Sequence, residues 1–213
     1  MAAPVIGFDL DMTLVDSAAG IIDSVQHVCR SYGQDVNDAD IAATIGLPLD
    51  MVFPRWIPDV PYDVLLAKYR VHYGQYGVPL SRPLPGATEI LQLIRAHSGR
   101  SIVVTAKHTP IAERVLLAAG LAADVVVGDL FAAAKAQVLL AEMAGYYVGD
   151  HPGDMTAAEH AGAVAIGVTT GPSNVDELHG SGAQVVLPDL FAVADWLSDR
   201  WRLAASSGSR SLE

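Results

Sequence analysis

The sequence predicts an α/β fold, with parallel strands buried between layers of helices and a small all-helical block inserted after the first strand. Three observations predict it. From Gly86 onward, short β-branched runs alternate with Ala- and Leu-rich stretches of helical length. A run of the same kind, Pro-Val-Ile-Gly-Phe at residues 4–8, stands apart at the front. Between them, from about Ser17 to Arg82, nothing resembles a buried strand, and Gly33, Gly46, Pro48, Pro54, Pro58 and Pro61 punctuate helical stretches.

After the run at 4–8, strands are expected at 101–105, 124–128, 146–149, 164–168 and 184–187. Apolar runs bounded by turn residues and separated by helices suit a parallel sheet covered on both faces. The helices between them are expected at 87–97, 110–119, 135–144, 154–161, 175–179 and 190–199. In the inserted block, 18–32, 38–45 and 61–76 read as helices. Its exit, Pro79-Leu-Ser-Arg-Pro-Leu-Pro-Gly86, is a proline-stiffened connector suited to a hinge. The expected division is a core of residues 1–16 and 83–205, a helical block of 17–82 and a disordered tail of 206–213. Small polar residues after Ala204 cannot repay ordering entropy, so the end is expected to fray.

A chain of 213 residues buries about 70% of its unfolded surface and so supports a sizeable core. Thirteen Lys and Arg against 24 Asp and Glu give a formal charge of −11, which argues against gripping nucleic acid or an anionic membrane. A single cysteine, Cys29, excludes an internal disulfide and a Cys-based zinc site, and fits a reducing compartment. Mean hydropathy is +0.32, yet no apolar run approaches the ~18 residues of a membrane span. The first residues, MAAPVIGFDLD, meet acids too early for a secretion signal. The expectation is a cytoplasmic protein without nucleic-acid or membrane partners, its oligomeric state left open.

In a parallel sheet the C-terminal strand ends form the ligand crevice. Asp9 and Asp11 leave the first strand at that edge, Thr105 ends the run at 101–105, and Asp150 follows 146–149. Asp154 lies about one helical turn further on, and Lys135 begins the stretch leading into 146–149. An Asp after a strand is often only a turn former or helix cap, and Asp154 alone reads that way. Capping is a poor account of Asp9, Asp11 and Asp150 together, because clustered like charges cost free energy unless a cation or a raised pKa compensates. Carboxylates with neither Cys nor a His pair at ligand spacing suit a hard ion such as Mg²⁺.

The stretch Phe8-Asp-Leu-Asp-Met-Thr-Leu-Val-Asp-Ser17 resembles the first motif, DxDx[TV], of the haloacid dehalogenase (HAD) superfamily. Thr105 in Val103-Val-Thr-Ala-Lys107 resembles the second motif, Lys135 the third, and Gly149-Asp-His-Pro-Gly-Asp154 the fourth, GDxxxD. Order and spacing match across nearly the whole chain, and the helical block falls where this superfamily places a small helical cap. Asp16-Ser17 and Ile45-Gly-Leu-Pro-Leu49 resemble the phosphoglycolate phosphatase-like branch.

The resemblance implies a Rossmann-like core and Mg²⁺-dependent hydrolysis of a small phosphorylated metabolite through an aspartyl-phosphate. It makes Asp9 the nucleophile, with Asp11 protonating the leaving alkoxide and then deprotonating the attacking water. It makes Thr105, Ala106 and Lys135 the phosphate-binding groups. The metal would be held by Asp9, Asp150 and the backbone carbonyl of Asp11, with Asp154 binding directly or through water.

An acid at Asp11 favours a phosphatase or a phosphomutase over the dehalogenase branch, which lacks it. A mutase of the β-phosphoglucomutase type holds its sugar phosphate through specific basic residues that cannot be mapped here, so it is the alternative. A non-catalytic binding protein on the same fold is the other. Met12 stands where Gly or Asn is commoner, and Lys135 is followed by Ala136 rather than the usual Pro. Lys107 is a rival to Lys135 as the substrate-facing amine. His151 suits a helix cap or a solvent-facing position. In the helical block, Gly46 and Arg55 are the candidate specificity residues. Tyr69, His72, Tyr73 and Tyr76 fall at helical spacing and read as a packing stripe.

Overall fold

The computed structural model describes residues 3–208. The chain enters on β1 (Val5–Phe8) and turns into the two-residue strand β2 (Val15–Asp16). Helices α1 (Ala18–Arg30), α2 (Asp38–Ala42), α3 (Leu49–Val52) and α4 (Tyr62–His72) follow. A 3-10 turn at Phe53–Arg55 precedes α4, and a π-helical turn at Tyr73–Gly77 follows it, before β3 (Arg82–Pro83). Strands and helices then alternate: α5 (Ala87–Ala96), β4 (Arg100–Val104), α6 (Thr109–Ala118), β5 (Val125–Val127), α7 (Ala136–Ala141) and β6 (Tyr146–Gly149). The series closes with α8 (Pro152–Ala161), β7 (Val164–Val168), α9 (Val175–Gly180), β8 (Val185–Leu187) and α10 (Leu190–Gly208).

Six strands form one sheet in the order β5-β4-β1-β6-β7-β8, and every neighbouring pair is parallel. This is the Rossmann-like α/β architecture the alternation predicts. From β1 the strand order runs outward to β4 and β5 on one side and to β6, β7 and β8 on the other. The switch point, where ligands bind in such sheets, therefore lies at the C-terminal ends of β4, β1 and β6.

Successive side chains alternate between two apolar layers. Ile6, Phe8, Val103, Val148 and Ile166 join the cluster with α1, α5 and α10. Ile102, Val104, Tyr147 and Ala165 join the cluster with Leu139 of α7, Met155 of α8 and Leu178 of α9. Each large side chain fully buried this way contributes about 1.5–3 kcal/mol. In α1 the buried Ile21, Val25, Val28 and Cys29 recur at helical spacing, so one face of the first helix packs inward.

The short antiparallel pair of β2 and β3 is not legible in the sequence, because two residues are too few to show a period. Val15 faces Pro83 and Asp16 faces Arg82, so the chain leaves for the helical stretch and returns from it at adjacent points. α4 ends at His72, short of the expected 76, and gives way to the wider turn containing Gly74 and Gly77. α10 continues to Gly208, past the point where fraying is expected, because Ala204 and Ala205 are strong helix formers. Residues 209–213 of the expected tail lie outside the described residues. Among the described residues no helix is long and apolar enough to cross a membrane.

Gly86, at the start of α5, has φ +88°, and a Cβ there would collide with the Phe191 backbone nitrogen. Gly86→Ala therefore meets both a left-handed backbone penalty and an immovable neighbour. The expected cost is at least about 2 kcal/mol, read as a thermal midpoint lower by roughly 4–8 °C. An unchanged midpoint would mean that the α5–α10 contact gives way freely.

Candidate active site

The three adjacent strands at the switch point deliver the site. The Asp9 amide still donates to the Val148 carbonyl at 2.9 Å, so Asp9 is fixed by the sheet ladder itself. Beyond it the chain turns sharply, with Met12 at φ +58°, the left-handed conformation that explains why Gly or Asn is the easier residue here. Thr105 is anchored likewise, its amide donating to Val127 O at 3.0 Å, and its side chain is buried.

Asp9, Asp150 and Asp154 each offer a carboxylate oxygen within 4.8 Å of the other two, and all three are buried. The Lys135 ammonium donates to Asp9 Oδ1 at 3.0 Å, to Asp154 Oδ1 at 2.7 Å and to the Tyr147 hydroxyl at 3.0 Å. Tyr147 in turn donates to the Val104 carbonyl at 2.7 Å. Its ring fits beside β1 because residue 7 is glycine, where a Cβ would lie 2.7 Å from the ring. Thr13 Oγ1 donates to Asp150 Oδ1 at 2.7 Å. Asp154 Oδ2 accepts from the His151 amide at 3.2 Å, so Asp154 caps α8 and faces the cluster with its other oxygen. His151 is itself a capping residue, its Nδ1 accepting from the Gly153 amide at 3.0 Å.

One ammonium among three buried carboxylates leaves an excess of negative charge. Burial pushes the Asp150 carboxyl well above the usual carboxylate range, and Asp9 and Asp154 push it the same way. Burial likewise raises Asp154 to about 6, against the pull of Lys135. Burial alone would lower the Lys135 pKa, but Asp154 and Asp9 outweigh it and hold the ammonium well above its ordinary value. Asp150 Oδ2 is buried with no hydrogen-bond partner. An unbonded, buried carboxylate oxygen in an all-oxygen donor set fits a hard divalent cation.

In front of Asp9 a cavity of about 230 Å³ is lined by Asp9, Asp11, Thr105, Ala106 and Lys107, with a largely apolar wall from the helical stretch. Lys135, Asp150 and Asp154 lie behind Asp9 and are not on that wall. Asp11 does not turn its carboxylate to the acid cluster. Ser17 Oγ donates to its Oδ1 at 2.5 Å, and Lys107 Nζ lies 3.1 Å from its Oδ2. The two amines compared in the sequence thus occupy different places, Lys135 on the nucleophile side and Lys107 on the Asp11 side. Burial opposes the Lys107 charge, but Asp11 and then Tyr73 outweigh it and raise its pKa.

Gly46 lines the cavity, whereas Arg55 does not. Arg55 closes the Phe53–Arg55 turn, whose inward residue is Phe53, and its exposed guanidinium donates to Met51 O at 3.2 Å. The cation that the helical stretch does bring to the cavity is Arg70, which pairs with Asp129 at 3.2 Å. Of the tyrosine stripe, Tyr69 and Tyr73 pack inward and also line the cavity. Thr13, Ser17 and Tyr147 bind the acids and their ammonium directly, although the sequence marks none of them beyond its motif neighbourhood.

A family model described as haloacid dehalogenase-like hydrolase matches residues 6–168. The chain belongs to that family. A Dickeya dadantii protein named "Probable phosphatase IndB" is 32% identical over 209 residues, covering 89% of this chain and 90% of its own. A phosphoglycolate phosphatase from Agrobacterium fabrum is 30% identical, covering 93% of this chain and 94% of its own. Among solved structures, the haloacid dehalogenase-like protein SP0104 from Streptococcus pneumoniae superposes with a TM-score of 0.82 at 23% identity, over 92% of this chain and all of that one. That likeness is one of fold. In this haloacid dehalogenase-like hydrolase the first-motif acids, Thr105, Lys135 and the fourth-motif acids meet at one strand edge, although Lys135 and Asp9 are 126 residues apart.

Proposed function

We propose that this haloacid dehalogenase-like hydrolase is a phosphatase that cleaves a small phosphate monoester through an aspartyl-phosphate on Asp9, with Mg²⁺ as its metal. The observation that carries this reading is the buried set of Asp9, Asp150 and Asp154 around one ammonium, with an unbonded Asp150 oxygen, of which Asp9 also lines a cavity. The phosphatase names of two relatives that span nearly the whole chain support it.

In this reading the Asp9 carboxylate attacks phosphorus while Lys135, 3.0 Å away, holds it in place and offsets its charge. The Thr105 hydroxyl and Ala106 amide donate to phosphoryl oxygens. As the ester P–O bond breaks, its electron pair stays on the leaving oxygen, which takes a proton from Asp11. Asp11 then accepts one proton from a water whose oxygen attacks the phosphoryl group, and the Asp9 carboxylate is released with inorganic phosphate. Mg²⁺ would be held by Asp9, Asp150, Asp154 and the Asp11 carbonyl, supplying the positive charge that lets an anion approach a phosphate dianion. The helical stretch 17–82 serves as a cap that keeps other water out and reads the leaving group. A cavity of about 230 Å³ suits a compact, phosphoglycolate-like ester better than a nucleotide.

The test is phosphate release from p-nitrophenyl phosphate and 2-phosphoglycolate, with Mg²⁺ or EDTA, by wild type and Asp9→Asn. The expected result is a loss of at least about 10³-fold on adding EDTA, and a loss as large for Asp9→Asn in Mg²⁺. A Mg²⁺-dependent rise in the thermal midpoint, absent when Asp150 is changed to Asn, is the matching binding readout. Turnover that survives Asp9→Asn, or that ignores EDTA, sinks the reading.

A further inference from the structure

Lys107 has no part in the chemistry above, yet its surroundings are specific. Its side chain is 8% exposed, two residues past Thr105, in the loop that follows β4. Its ammonium lies 3.1 Å from Asp11 Oδ2 and 4.2 Å from the centre of the Tyr73 ring. The other Asp11 oxygen is held by Ser17, so the carboxylate has one donor on each oxygen, from two separate segments. Tyr73 opens the π-helical turn at the end of the helical stretch, and its ring stacks on Tyr69 at 5.5 Å. A buried ammonium is costly, and a methionine of similar length would fill this space at less cost. The charge is there for Asp11 and for the ring above it.

We infer that Lys107 is a positioning residue that aims the Asp11 carboxyl at the leaving oxygen, and that the Tyr73 ring makes this aim depend on the helical stretch being seated. The inference rests on the assignment of Asp11 as the proton donor. When the ester P–O bond breaks, the electron pair goes to the leaving oxygen and the Asp11 proton follows it. Asp11 is left negative against an ammonium already in place, so no reorganisation is needed at that moment. Without Lys107 the carboxyl is held on one oxygen only and is free to rotate away from the leaving group.

Two phosphoryl donors of matched size, an alkyl ester and an acyl phosphate, separate this role from a general weakening. Ethyl phosphate must release an alkoxide and needs the proton, whereas acetyl phosphate releases acetate and does not. For Lys107→Met, kcat on ethyl phosphate is expected to fall at least about tenfold further than kcat on acetyl phosphate, with KM values moving together. Lys107→Arg, which keeps a charge, is expected to recover most of that difference. Tyr73→Leu is expected to shift the ratio the same way by a smaller factor. Asp11→Asn is the control and is expected to widen the ratio by about 10²-fold or more.

If Asp11→Asn widens the ratio while Lys107→Met lowers both rates equally or neither, the inference is overturned and the role of Asp11 stands. If Asp11→Asn does not widen the ratio, the assignment of Asp11 fails and the inference falls with it. Should Lys107→Met not fold, Lys107→Gln compared with Lys107→Arg decides the same question, the charge-neutral variant being expected to show the wider ratio.

Discussion

Lys135→Met is expected to lower the thermal midpoint by roughly 6–20 °C and to remove activity on every phosphate ester. Lys135 is 2% exposed and donates to Asp9, Asp154 and Tyr147. Methionine fills the volume but leaves two buried carboxylates without their cation. Breaking a buried ion pair from one side costs about 3–5 kcal/mol, because the remaining charge stays desolvated and unpaired. At about 2–4 °C per kcal/mol for a domain of this size, that gives the stated range. Millimolar Mg²⁺ should restore more of the midpoint in the variant than it adds to the wild type, since a cation between the acids replaces part of the lost positive charge. Calorimetry of both proteins with Mg²⁺ and with EDTA checks it, and equal midpoints in EDTA would show that the acids do not need Lys135.

Asp150→Asn is expected to act with the opposite sign on stability. In EDTA the variant should melt at or above the wild-type temperature, by up to roughly 2–4 °C, which corresponds to about 1 kcal/mol. Asparagine keeps the oxygen that accepts from Thr13 and removes one of three mutually repelling buried charges. Its amide gains nearby carboxylate acceptors in place of the unbonded Asp150 Oδ2. Activity should nevertheless fall by at least about 10²-fold, and added Mg²⁺ should no longer raise the midpoint. A clear drop of the EDTA midpoint would mean that Asp150 supports the fold rather than straining it. Together the two variants distinguish the group that neutralises the site from one that loads it with charge.

The strand ends are the most legible part of this molecule. Asp9, Thr105 and Asp150 follow β-branched runs directly, and pairing such runs in parallel fixes which edge they share. Around Lys135 the local structure differs from the expected helix start. Lys135 closes a 3-10 turn at Ala132–Lys135, because the run Ala132-Ala-Ala-Lys-Ala136 has helix propensity throughout and no cap to mark the break. Tyr147 stays hidden because one tyrosine in an apolar strand looks like any core residue, and only the packing beneath the sheet shows that its hydroxyl meets an ammonium. Arg55 draws notice for its charge near a loop glycine, whereas Arg70 lies a helix away and reaches the cavity through packing that no local pattern encodes. Lys107 and Lys135 both look, in sequence, like the single amine such a site requires. The structure gives them separate partners, Asp11 for Lys107 and Asp9 with Asp154 for Lys135.

The pairing of β2 with β3 has a consequence for how such a protein changes over evolutionary time. The helical stretch is spliced into the chain at two points that are already hydrogen-bonded neighbours, Val15 beside Pro83 and Asp16 beside Arg82. Lengthening, shortening or replacing what lies between them leaves the spacing of that joint unaltered. Most of the apolar cavity wall comes from the spliced stretch, while Asp9 and Asp150 follow strands of the sheet, Asp154 lies in α8 and Lys135 ends the turn at Ala132–Lys135. Rewriting that one continuous stretch of sequence would therefore change most of the apolar cavity wall without altering Asp9, Asp150, Asp154 or Lys135.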